Sequence, residues 1–206
     1  METGSIPLDA VDGAVDLRAT LESGQSYLWS RTDGGMYEDA GENAWYHTTV
    51  DGEVVRARQT ADAIEWAATT DADALLRDLL GLGDDLPAIR RAAPEDPLIA
   101  RAYDAHWGMR IVRDPFFPCL VSFICSAQMR VERIAAMQAN LRETFGEDHT
   151  LDGETYHDFP TPERLAAASG YERATALFNE QLGEESREEW RDRAPDESHP
   201  SVTDEQ

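Results

Sequence analysis

The chain contains no lysine: all 18 basic residues among its 206 are arginine. That absence excludes a phosphate loop of the Walker type, whose lysine reaches the phosphates. The glycines of LLGLGDDLP (residues 79–87) therefore read as a helix stop, beside two aspartates that would repel phosphate. Cysteine is scarce too. Cys119 and Cys125 point about 120° apart on a helix, which rules out a local disulfide. The histidines His47, His106, His149, His157 and His199 are scattered, so no metal site and no cofactor is expected. No apolar run approaches the roughly 20 residues that span a bilayer. The opening METGSIPLDAVDGAVD is acidic, with no basic region to start a secretory signal. A cytoplasmic location with free, buried thiols is the expectation, and no membrane partner.

What the chain has in excess is acid. Asp and Glu number 41, and the formal net charge is −23. The acids run from Glu2 to Glu205 and form no single block, so an acidic tail for a basic partner is the poorer explanation. An acidic surface from which lysine is excluded resembles the proteins of salt-loving archaea. There it maintains solubility when salt shortens the Debye length to roughly 3 Å. Hydrophobic residues make up 41% of the chain, enough for one or two globular domains with a core.

Periodicity changes along the chain. In NAWYHTTVDGEVVRARQ (43–59) two β-branched and aromatic runs flank Asp51-Gly52, which predicts a hairpin with a type I′ turn. Tyr27–Trp29 and Met36-Tyr37 are expected to add strands, and the alternation from Val54 to Arg58 predicts a wet face. From Asp71 the pattern is helical, with Leu75, Leu76, Leu79 and Leu80 on one side and Gly81 or Gly83 as the stop. Short helices are expected near 85–93 and 96–106, the second opened by Asp96-Pro97. DPFFPCLVSFICSAQMRVERIAAMQANLRETFG (114–146) predicts two more helices. The first, capped by Asp114, is apolar almost all round and so expects neighbours on every side. The second is amphipathic through Val131, Ile134, Ala135, Gln138 and Leu141 and ends at Phe145-Gly146.

Two stretches hint at function. In SGQSYLW (23–29) Gly24 stands among hydrogen-bonding side chains just ahead of Tyr27 and Trp29. It is either a turn residue entering an edge strand or a place where another group approaches the backbone closely. Between Arg110 and Arg142 five arginines face only Asp114 and Glu132, a basic island of +3 in an acidic chain. Those arginines either pair with acids from elsewhere or meet an anion. The polar SAQMR between two helices favours nucleic acid.

Three segments resemble, in order, those of the 8-oxoguanine DNA glycosylases of the helix-hairpin-helix superfamily. SGQSYLW is similar to their S-G-Q-S-aromatic-x-W. RIVRDPFFPCLVSFICSAQMRVERI (110–134) resembles their D-P-x-x-C-L-x-S-F-I-C-S-x-[NQ] helix pair, and YHDFPTPERLA (156–166) their Y-H-x-F-P. The resemblance implies an α+β fold: an N-terminal antiparallel sheet with helices over 1–108, then the start of an all-helical glycosylase domain over 109–169. Residues 170–206 are expected to be an acidic, divergent tail, with a helix near 171–191 and a disordered end. The implied partner is double-stranded DNA containing oxidised guanine, flipped into a pocket, and the implied state is a monomer or a weak self-associate.

Carried over residue by residue, the resemblance gives Gly24 a backbone carbonyl that accepts from the N7–H of the oxidised base. Gln128 falls where the family fills the gap left by the flipped base. Arg133 falls where an arginine reads the orphaned cytosine, with Arg130 beside it as a further DNA contact. Beyond Ala168 the resemblance ends. Gly170-Tyr171 echoes a family G-Y-R-A segment, but Glu172 replaces its arginine and no L-P-G-[VI]-G hairpin occurs. The family's bifunctional glycosylase/lyase chemistry uses a lysine amine as nucleophile. With no lysine, no catalytic residue can be assigned, and the chain reads as truncated and inactive. The alternative is a non-catalytic lesion-binding or regulatory fragment. A purely acidic interaction module leaves the ordered three-part match unexplained.

Overall fold

Asp51 and Gly52 adopt φ of 52° and 82°, the paired positive values of a type I′ turn. They join β3 (Tyr46–Val50) to β4 (Glu53–Gln59) in the register the sequence implies, Val50 opposite Glu53 and Tyr46 opposite Ala57. The computed structural model describes residues 1–37, 43–126 and 129–170. Expectations for Gln128 and for the tail from residue 171 lie outside the described residues.

The sheet grows on both sides of this hairpin. β5 (Ala63–Ala68) pairs with β4, and β1 (Glu2–Pro7) closes that edge, while β2 (Ser30–Arg31) pairs with β3 on the other. All the pairings are antiparallel. The strand expected over Tyr27–Trp29 is displaced: that segment is irregular and pairing begins at Ser30. Leu28 and Trp29 are buried in packing that leaves no sheet partner for them. Met36-Tyr37 forms a turn, with Tyr37 at φ 68°, not a strand.

One face of the sheet presents Tyr46, Val55, Ala57, Ile64, Trp66 and Ala68 to α1 (Leu17–Leu21) and α2 (Asp73–Leu79). The other face is not open to water along Val54 as the alternation suggested. A second hairpin, β6 (Asp148–Leu151) and β7 (Glu154–His157), lays Leu151 and Tyr156 over the fully buried Val54. Farther along the same face Trp45 sits between the guanidinium groups of Arg56 and Arg58, 5.3 and 4.7 Å from its ring.

The helices beyond the sheet follow their sequence signals closely. Asp85 caps α3 (Leu86–Ala92), and Asp96 caps α4 (Pro97–Ala105) with Pro97 in its first turn. α5 spans Phe116–Cys125 and α6 spans Val131–Phe145; α7 (Pro162–Ala167) follows the second hairpin, capped by Thr161. That hairpin between α6 and α7 was not anticipated.

Asp114 does not cap α5. Pro115 holds that position without a side-chain bond, and the Asp114 carboxyl lies in a burial environment that pushes its pKa up, opposed by a hydrogen bond from Ser26. Nor is α5 surrounded among the described residues. Phe117 and Val121 pack against Leu28, Leu141 and Phe159, but Phe116, Phe123 and Ile124 remain 81%, 68% and 68% exposed. Both cysteines are free, Cys125 buried and Cys119 half-buried. Among the described residues no helix is long and apolar enough to cross a membrane.

His47 records how tightly the second layer closes. Its ring stacks edge-on against Tyr156 at 4.9 Å, opposite Arg56 in the register. Burial, then the nearby charges of Arg142 and Arg56, push its pKa down to about 4. The unfolded chain takes up a proton near pH 6.5 that the fold refuses until about pH 4. Stability is therefore expected to fall between those values, by roughly 2–3 kcal/mol from this group. Denaturant melts at pH 7 and pH 4.5 check this: the loss should be smaller in His47→Gln than in the wild type, by about that amount.

Candidate nucleic-acid interface

Each polar residue of SGQS has a local task. Ser23 Oγ donates to the Thr20 carbonyl (3.3 Å). The Gln25 amide bridges two segments: its Nε2 donates to the carbonyls of Thr20 and Arg110 (2.8 and 2.7 Å), and its Oε1 accepts from Val112 N–H (3.0 Å). Ser26 is buried, and its Oγ accepts from Leu28 N–H. This stitching fixes the loop against the strand-like segment that leads into α5.

Gly24 lies at the bend with φ +78°. A Cβ built there would meet only the Tyr27 hydroxyl and Val131 Cγ2, each at 3.8 Å, which is ordinary contact. Glycine is thus required by its left-handed backbone rather than by crowding. Val131 is the first residue of α6, so the loop and the N-terminus of that helix form one surface. Arg130 occupies the cap position of α6 without a side-chain capping bond and is exposed; Arg133 follows in the first turn, half-buried. A helix start lacking a side-chain cap leaves backbone N–H groups and positive dipole facing outward, suited to an anion.

The rest of the basic island is paired within the protein. Arg110 is 1% exposed, and its guanidinium donates to four backbone carbonyls, those of Asp12, Ala14, Gly81 and Asp84. Arg113 pairs with Asp78 and Asp84 (3.3 and 2.7 Å). Arg142 donates to the Leu28 carbonyl (3.0 Å) and to Ser30 Oγ (3.4 Å). Arg110 and Arg142 are spent on groups inside the protein and Arg113 on surface ion pairs, while Arg130 and Arg133 stand at the start of α6. Charge counted along a sequence window cannot tell a guanidinium spent on carbonyls from one that faces solvent.

Beside this surface an open cavity of roughly 700 Å³ is lined by Asp16, Arg18, Glu22, Ser23, Tyr37 and Met109, among others. Glu22 accepts from Tyr46 Oη (2.6 Å), Arg31 (3.4 Å) and the backbone N–H of Tyr37 (3.2 Å). Burial first, then the charge of Glu22 among its neighbours, pushes the Tyr37 hydroxyl up to about 12. Its two carboxylates, Asp16 and Glu22, make the cavity a poor seat for phosphate. Tyr27 brings its hydroxyl to the same bend as Gly24. In sequence it is the aromatic residue that follows S-G-Q-S.

The family described as 8-oxoguanine DNA glycosylase, N-terminal domain, matches residues 6–120. The chain is 39% identical over 77 residues to the N-glycosylase/DNA lyase of Saccharomyces cerevisiae, covering 37% of this chain and 19% of that protein. To a probable N-glycosylase/DNA lyase of Methanothermobacter thermautotrophicus it is 34% identical over 77 residues, covering 36% of this chain and 24% of the relative. Among solved structures, MBOgg1 in complex with a low-affinity DNA ligand superposes with a TM-score of 0.67 at 25% identity, covering 87% of this chain and 64% of that one. The Clostridium acetobutylicum 8-oxoguanine glycosylase/lyase bound to DNA with cytosine opposite 8-oxoG gives 0.65 at 23% identity, covering 83% and 62%. The chain thus spans about a fifth to a quarter of those two curated relatives and less than two thirds of the two structures.

Proposed function

The chain belongs to the 8-oxoguanine DNA glycosylase family, and from that premise we propose that it recognises oxidised guanine in duplex DNA, in base-excision repair. The observation that carries the reading is the nearness of the Gly24 bend to the first turn of α6, where Val131 Cγ2 lies 3.8 Å from the Cβ position of Gly24. It brings together residues 107 positions apart in sequence, Gly24 and Val131, at a helix start suited to phosphate.

In this reading the Gly24 carbonyl accepts from the N7–H that only the oxidised base carries. Arg133 reads the cytosine opposite through base-edge acceptors, Gln128 fills the vacated stack, and Arg130 meets phosphate. The proposed division places the sheet and first helices in 1–108 and the DNA-reading helices in 109–169, held together by Gln25 and Arg110 across that boundary. With no lysine in this sequence, recognition is proposed without the lyase step. A lesion binder that does not cut is favoured over an intact glycosylase/lyase for that one reason.

Titration at molar salt with 8-oxoguanine placed opposite cytosine or adenine tests the assignment. The wild type should prefer cytosine by about tenfold, the worth of one good arginine–base pairing. Arg133→Ala should bring the two duplexes within about twofold. Arg130→Ala should weaken every duplex alike and lower the salt slope by about one, as loss of a phosphate contact does. A wild type indifferent to the opposite base, or an Arg133→Ala variant that keeps the preference, contradicts it.

A further inference from the structure

The Tyr27 hydroxyl is the atom of the interface with the most unspent chemistry. The side chain is half-buried, and among the described residues its hydroxyl has no hydrogen-bond partner. It stands 3.8 Å from where a Cβ on Gly24 would lie, with Val131 forming an apolar wall at the same distance. Its neighbour Tyr37 is close enough to feel the Tyr27 phenol, and Glu132 of α6 adds negative charge on that side. Burial raises the Tyr27 pKa, so the group remains a neutral O–H donor throughout the working range.

We propose that Tyr27 is a specificity-determining residue, whose hydroxyl donates to the C8 carbonyl oxygen of the oxidised purine while the Gly24 carbonyl accepts from N7–H. The proposal rests on the reading of Gly24 as the base contact. On the purine ring N7 and C8 are bonded neighbours, so their partners must lie within a few ångströms of each other. The Tyr27 hydroxyl, 3.8 Å from the Cβ position of Gly24, lies at the short range from the Gly24 backbone that this requires. The pair presents acceptor beside donor, matched to the donor and acceptor that oxidation creates. Ordinary guanine offers a lone pair at N7 and a C–H at C8, so it mismatches both. A site with buried polar groups rejects a ligand that leaves them unpaired far more strongly than an apolar site can. Phenylalanine would keep the ring and its packing but supply only half of this discrimination.

The test compares wild type and Tyr27→Phe on duplexes identical except for one 8-oxoguanine or guanine opposite cytosine, in molar potassium chloride. The measured quantity is the ratio of the two affinities. The wild type should favour the lesion, and Tyr27→Phe should cut that preference about tenfold, the effect of one buried hydrogen bond, with affinity for the guanine duplex unchanged. Equal weakening on both duplexes would show that the hydroxyl only supports the fold, and an unchanged ratio would show that it does not touch the base; either result overturns the proposal. A wild type without any lesion preference would instead remove the Gly24 reading itself, and this inference with it.

Discussion

Incubated with a duplex carrying 8-oxoguanine opposite cytosine and then reduced with borohydride, this 206-residue chain is expected to give no covalent adduct and no strand nick. The lyase reaction needs a primary amine. Its nitrogen attacks C1′ of the sugar, the base leaves, and the resulting imine is what borohydride reduces. No lysine side chain is present to supply it. The two thiols are no substitute, since a thiol forms no reducible imine. Burial also pushes both thiols up, away from the reactive thiolate. The remaining primary amine is the chain's N-terminus, so the assay should be run with that amine acetylated. An adduct formed by the acetylated chain would show that another group acts as nucleophile and would undo the assignment of a binder that does not cut.

Arg110→Ala is expected to destabilise the fold by about 4 kcal/mol, near the upper end for a single substitution. The guanidinium of Arg110 satisfies carbonyls from two separate loops, Asp12 and Ala14 ahead of α1, and Gly81 and Asp84 after α2. Removing it leaves those buried and part-buried acceptors unpaired, each at a cost of about 1 kcal/mol. Arg110→Lys should recover little, because one compact ammonium cannot reproduce the planar fork that reaches both loops. Urea melts at constant high salt measure both variants. If Arg110 instead served the DNA, its removal would leave the melt unchanged and weaken binding to every duplex.

The part of the fold legible in sequence is the part written in local chemistry. Asp51-Gly52 gives its turn because the dipeptide tolerates two positive φ values, and Asp85 and Asp96-Pro97 mark helix starts by capping. Asp152-Gly153 adopts the same turn, with φ of 55° and 81°, yet its hairpin went unread. The flanking DHTL and ETYH are polar on most positions, and only Leu151 and Tyr156 are buried. β1 is harder still: ETGSIP buries Ile6 alone, so no periodicity announces it, and its pairing is set by β5.

The candidate site divides in the same way. Gly24 was legible as a residue with a backbone reason, and the structure supplies a left-handed bend at φ +78°. The resemblance placed Arg133 and Arg130 at one helix start, where they are. The basic island failed because partners of Arg110, Arg113 and Arg142 lie 26 to 114 residues away, some of them carbonyls that carry no sequence signal. An apolar helix looks the same in sequence whether its neighbours are present or not, and among the described residues Phe116, Phe123 and Ile124 stand exposed.

Amide hydrogen exchange of the full chain, with and without a duplex bearing 8-oxoguanine opposite cytosine, tests most directly where DNA meets this protein. Protection is expected at Ser23–Tyr27 and in the first turn of α6, Val131 to Ile134, with the loops clamped by Arg110 unchanged. Protection confined to the Arg113 side of the molecule, or absent from both the Gly24 loop and the start of α6, would contradict the account.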